Sequence, residues 1–144
     1  MIKSLCGGLL LLGLSLSSWA DTLKSEAEIK QFGEKVMTHV ANNNLAAAFT
    51  TIQNYTVLPE SEVQGIALQT KSHREQFGFR YGQVVGYELV NEKKSGESLL
   101  RLIYVEKTSK TALPWIFYFY KTPDGWMLNT FYWNDNIQNA FVPQ

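Results

Sequence analysis

Residues 115–135 read WIFYFYKTPDGWMLNTFYWND and hold three of the chain's four tryptophans. The stretch is either an aromatic surface that grips a ligand or a hairpin that fills a core, and the fold turns on which. TPDG in its middle is a turn signal with a mechanism. Pro123 presets φ for the first central position of a type I turn and Asp124 suits the second. Gly125 accepts the left-handed position that follows and makes a bulge there. Residues 115–121 and 126–133 should therefore pair antiparallel. Counting back from a bulge at Gly125 sets Lys121 opposite Met127, Phe119 opposite Asn129, Phe117 opposite Phe131 and Trp115 opposite Trp133. Alternation along a strand puts these side chains on one face. The other face then carries Ile116, Tyr118, Tyr120, Leu128, Thr130 and Tyr132. The Trp/Phe face has no hydroxyl and is expected in the core. Tyr has an apolar ring and a polar tip, which suits a half-wet surface. Tyr118, Tyr120 and Tyr132 are thus candidates for a ligand pocket or a subunit contact.

Working upstream, the period stays at two back to Gly82. SLLRLIYVEKT sets Leu100, Leu102 and Tyr104 against Leu99, Arg101, Ile103 and Val105, and QVVGYELVNE is a further strand before the turn residues KKSGE. Before Gly82 the period is helical. Ile29, Phe32, Val36 and Val40 share a face over residues 25–42, with Ser25 as N-cap and Glu28 closing a capping box. Asn42-Asn43-Asn44 stops this helix, and Asn44 caps a second one, LAAAFTTIQ, through Leu45, Ala48, Phe49 and Ile52. A third, mostly exposed helix is expected to start at Pro59 and end near Phe77-Gly78. The fold class is α+β: two to three helices packed on a curved four-stranded antiparallel sheet.

The first twenty residues form a separate unit. MIK is basic, LCGGLLLLGLSLSSWA is uncharged, and Ser18-Trp19-Ala20 presents small residues where a signal peptidase reads. Residues 1–20 are expected to be a bacterial signal peptide, and 21–144 a single exported domain, periplasmic or secreted. The apolar run is short for a membrane span. The chain's one cysteine, Cys6, would leave with the signal, so disulfides, thiol chemistry and thiolate metal ligands are not expected. With 13 basic and 13 acidic residues and no basic stripe, nothing points to nucleic acid. HExxH, G-x-S-x-G and phosphate-binding Gly loops are all missing from the sequence, and neither a cofactor nor a metal is expected.

The helix pair IKQFGEKVMTHVANNNLAAAF and the ending PDGWMLNTFYW, in this order around the strands, resemble the nuclear-transport-factor-2-like superfamily, with its cystatin-like α+β cone. The resemblance spans about residues 25–135 and is architectural. It implies a curled sheet with helices over its concave face, often a cavity in the cone, and dimers made through the sheet. Catalytic members carry acid–base residues in that cavity, but no residue of this chain matches such a set.

Candidate chemistry is sparse. His39 flanks the apolar stripe of the first helix, as a base in the cone or as a boundary residue bonded to backbone. Asp135 closes the last strand, either at a cavity mouth or as a strand cap. KSHRE, residues 71–75, reads as a solvated helix face with Lys71 and Glu75 at i,i+4 spacing. Glu88, Arg101 and Glu106 read as cross-strand pairing partners. Three functions follow. The first is a non-catalytic binding protein for a small apolar ligand in the cone, or for an envelope protein on the Tyr face. The second is an isomerase or dehydratase using His39 and Asp135. The third is an envelope interaction module with no pocket, which a cone filled by Trp115, Phe117, Phe119, Phe131 and Trp133 would favour.

Overall fold

The computed structural model describes residues 20–141. The expected signal segment therefore lies outside the described residues, apart from Ala20. Three helices come first: α1 (Glu26–Ala41), α2 (Leu45–Tyr55) and α3 (Glu60–Phe77). Four strands follow, β1 (Val84–Ser95), β2 (Leu99–Thr108), β3 (Ala112–Thr122) and β4 (Gly125–Trp133), forming one antiparallel sheet in chain order. This is the expected α+β arrangement of helices on a curved open sheet.

Local chemistry explains the helix boundaries. Ser25 Oγ accepts from the Glu28 amide, and the Glu28 carboxylate accepts from the Lys24 amide, so two donors at the start of α1 are satisfied by side chains. Asn43 takes a left-handed conformation at φ 56°, and Asn44 Oδ1 accepts from the Ala47 amide to open α2. The Asn triplet thus ends one helix and starts the next within three residues.

Helices α1 and α2 cover one face of the sheet. From α1 come Ile29, Phe32, Val36, Met37 and Val40, and from α2 Ala48, Phe49 and Ile52. They meet Leu100, Leu102 and Tyr104 of β2, Trp115, Phe117 and Phe119 of β3, and Trp126, Leu128 and Phe131 of β4, all buried in one cluster with Trp133 packed against it. Phe32 stands edge-on to Phe117 and Phe119, with centroids 6.3 and 5.8 Å away. Phe49 tilts against Trp115 and Phe131. Edge and tilted packing of this kind adds about 0.5–1.5 kcal/mol per pair beyond the area buried. The Trp/Phe face of the hairpin is core.

The hairpin register holds at its far end and differs near the turn. Trp115–Trp133 and Phe117–Phe131 pair as expected, but Phe119 faces Leu128 and Lys121 faces Trp126. The extra residue of the bulge falls at Asn129, between the Tyr118–Thr130 and Phe119–Leu128 pairs, and not at Gly125. Leu128 consequently turns inward, correcting its expected place on the Tyr face. Segments distant in sequence account for the shift. Leu23 exchanges two backbone hydrogen bonds with Trp126, and the Val57 amide and Thr56 hydroxyl both donate to the Leu128 carbonyl. These bridges pin Trp126 and Leu128, and both are buried. They also pair with the start of β4 along an otherwise open sheet edge.

Two consequences can be measured. A Cβ at Gly33 would lie 2.5 Å from the Tyr104 hydroxyl oxygen and 2.8 Å from its ring, whereas one at Gly65 of α3 would meet nothing within 4 Å. Gly33→Ala is expected to destabilise by about 1–3 kcal/mol, and Gly65→Ala to stabilise by up to about 1 kcal/mol. Urea denaturation of both variants checks the contrast. Burial also pushes the Tyr104 phenol well above its ordinary pKa. The folded chain then holds this proton where the unfolded chain releases it. That contribution to stability is complete below the unfolded value of about 10 and declines as pH rises from there toward the folded value. Tyr104→Phe should flatten the alkaline decline, read from unfolding midpoints across pH 9 to 12.

Candidate binding site

The face of the sheet away from the helices is divided in two. After β4 the chain folds back, with the Asn134 amide donating to the Pro114 carbonyl at 3.2 Å. Asn136 then caps a 3-10 turn, Ile137–Ala140, by accepting from the Gln138 amide. This turn packs on β2 and β3, and Ile103, Val105, Pro114 and Ile116 are buried there. Ile116, expected on a half-wet face, is therefore covered.

The other half stays open. Its cleft of about 590 Å³ is lined in part by Lys93, Leu99, Arg101, Tyr118, Tyr120 and Thr130. Tyr120 is 46% exposed, Tyr132 42% and Leu99 49%. The Tyr118 and Tyr132 rings stack with centroids 6.5 Å apart. Burial, followed by the neighbouring Tyr118, raises the pKa of the Tyr132 phenol, while Arg101 pulls it the other way. The three tyrosines singled out in the sequence share this face of the sheet; Tyr118 and Tyr120 line the cleft, while Tyr132 stacks on Tyr118 and lines the neighbouring groove toward α3. The cleft falls within the size range of small-molecule sites, about 300–1,000 Å³.

A second cluster lies where α3 meets the ends of β2, β3 and β4. Glu106 is on the inner face of the sheet and only 1% exposed. Arg74 grips it fork to fork, Nη1 to Oε1 at 2.9 Å and Nη2 to Oε2 at 2.6 Å. The Trp115 indole adds a donor to the same carboxylate at 3.1 Å. The Arg74 guanidinium also lies 4.2 Å from the Trp133 ring centroid, and the Trp133 indole donates to the buried Thr70 hydroxyl at 2.8 Å. Beside this ion pair, Tyr81 donates to Asp135 at 3.0 Å and lies 2.7 Å from His73 Nε2. Because the phenol proton is given to Asp135, the matching tautomer has His73 donating from Nε2. Burial, then the Asp135 bond, raises the Tyr81 pKa. His73, Thr70, Trp133 and Asp135 border a groove of about 380 Å³ between α3 and β4.

The candidates from the sequence divide accordingly. Asp135 is joined to Tyr81 and, through it, to His73. His39 is half-buried in the last turn of α1. The two form no hydrogen bond with each other, and His39 lines none of the clefts described. In KSHRE, Lys71 and Glu75 are exposed and 4.0 Å apart, as expected for a solvated pair, but His73 and Arg74 turn inward. Glu106 is no ordinary cross-strand partner; it is a buried carboxylate held from a helix. Sequence signals existed for both. Glu106 continues the alternation Leu100, Leu102, Tyr104, which is the inward set. Arg74 continues the spacing of Val63, Ala67 and Thr70 along α3. Among the described residues, no group of three or more His, Cys, Asp or Glu side chains could hold a metal ion, and no helix is long and apolar enough to cross a membrane.

No family model, curated protein or solved structure matches the chain.

The ion pair makes its own prediction. Arg74→Leu would strand the Glu106 charge in the interior and should cost about 3–5 kcal/mol. The double variant Arg74→Leu/Glu106→Leu removes both charges and should recover much of that loss. Chemical denaturation of the single and double variants decides it.

Proposed function

We propose that this protein is an exported, non-catalytic binding protein of nuclear-transport-factor-2-like architecture, and that its ligand or partner sits on the open half of the sheet. The carrying observation is the contrast between the two faces. The inner face is filled, with Trp115, Phe117, Phe119 and Phe131 buried beneath α1 and α2. The outer face has an aromatic cleft that no other described residue covers. A small molecule in the cone would compete with packed side chains, whereas one on the Tyr face would not. Exposed tyrosines also suit recognition, because they offer contact area at little conformational cost. The basic, then apolar, then small-residue pattern of residues 1–20 supports export, into the periplasm or beyond it.

The isomerase alternative draws less support, since His39 and Asp135 do not converge on one cleft. The interaction module is the closer rival, because a filled interior is what it requires. The open cleft is what favours a binding protein.

Native mass spectrometry of the protein isolated gently from its own cell envelope tests the proposal. The wild type should carry a small molecule, or a partner chain, that denaturing conditions remove. Tyr118→Ala/Tyr132→Ala should lose most of it. The double variant forfeits one ring stack, about 0.5–1.5 kcal/mol beyond the area these two partly exposed rings bury, and leaves the core beneath α1 and α2 intact, so it should still fold. Unchanged retention and unchanged self-association in that variant would overturn the proposal.

A further inference from the structure

Among the described residues, the cleft on the open face is lined by two cations and no anion. Lys93 and Arg101 lie directly opposite one another across β1 and β2, and both line the cleft. Like charges placed directly opposite on neighbouring strands destabilise a sheet. Their neighbours on the inward side are handled differently: Glu92 pairs with Lys30 at 2.8 Å and Lys94 with Glu26 at 2.6 Å, both on α1. Among the described residues no carboxylate lies within 4 Å of the Lys93 or Arg101 charge. The one side-chain partner of Arg101 is the neutral Asn91, at 3.1 Å, and its Nε–H finds no acceptor. Immediately beside this pair the lining becomes apolar and aromatic, with Leu99, Tyr118 and Tyr120.

We propose that the cleft binds a small amphipathic monoanion, an alkyl or aryl carboxylate. The carboxylate pairs with Arg101 and Lys93, and the apolar body lies over Leu99, Tyr118 and Tyr120. A guanidinium matches a carboxylate in geometry, and charge-assisted hydrogen bonds are about twice as strong as neutral ones. A membrane surface is a poorer match, since anionic lipid recognition draws on clusters of about four to eight basic residues and this cleft is lined by two. The proposal rests on the open face being the binding surface and adds the charge and size of what binds there.

The test is titration of the purified protein with octanoate and, separately, with the neutral 1-octanol, followed by calorimetry and by NMR shifts. Octanoate should saturate one site, with the largest shifts at Arg101, Tyr118 and Tyr120. Lys93→Gln/Arg101→Gln should weaken octanoate at least about tenfold, the scale of a charge-assisted hydrogen bond, and leave 1-octanol unaffected. Added salt should weaken octanoate binding in the wild type alone. Equal octanoate affinity in wild type and the charge variant would overturn the anion proposal while leaving the binding face in place. So would wild-type protein that binds 1-octanol and octanoate alike. Octanoate that saturates the wild type but shifts residues of the α3–β4 groove would overturn both the site and the class.

Discussion

Everything in this molecule follows from having to cover the inner face of β3 and β4. Trp115, Phe117, Phe119 and Phe131 together present a slab of aromatic surface that water cannot solvate well, and at about 25 cal/mol per Å² its burial is the largest available driving force. Helices α1 and α2 exist where they do because their apolar stripes meet that slab, and Phe32 and Phe49 fit edge-on or tilted between its rings. Gly33 shows how close the approach is, since α1 has no room for a methyl group over Tyr104. With the interior filled, the cleft that stays open lies on the outside of the sheet.

The polar cluster under α3 follows from the same constraint. A third helix with few apolar residues cannot be held by hydrophobic burial alone, and only Val63 and Thr70 of α3 are buried. Its attachment comes instead from Arg74 to Glu106 and from Trp133 to Thr70. A buried carboxylate is costly unless fully satisfied, and Glu106 has three donors. Such a pair adds less to net stability than its short distances suggest, but it penalises any other placement of the helix. The Tyr81 link to Asp135 fixes the chain after β4 in the same manner, and that chain covers one half of the outer face.

Much of the fold was legible in the chain because its signals are local. The Ser25 cap, the Asn42-Asn43-Asn44 break and the alternation along β2 each act within a few residues, and all appear where the sequence places them. The register of β4 was only half legible. TPDG marks the turn correctly, but the extra residue moved to Asn129 because Leu23 and Val57, distant in sequence, bond to Trp126 and Leu128. No local pattern reports those bonds.

The sequence by itself determined the class of fold, the identity of the core face and the gathering of Tyr118, Tyr120 and Tyr132 on the other face, because strand alternation and helix periodicity are properties of neighbouring residues. Only the tertiary structure decided which polar side chains meet. Spacing can turn Arg74 and Glu106 inward without saying that they meet, while His73 looks like an ordinary surface residue in sequence and Asp135 like a strand cap. Pairing Arg74 with Glu106, Asp135 with Tyr81, and Lys93 opposite Arg101 takes contacts across elements. Those contacts depend on how helices and strands cross in space, and linear spacing carries no record of that.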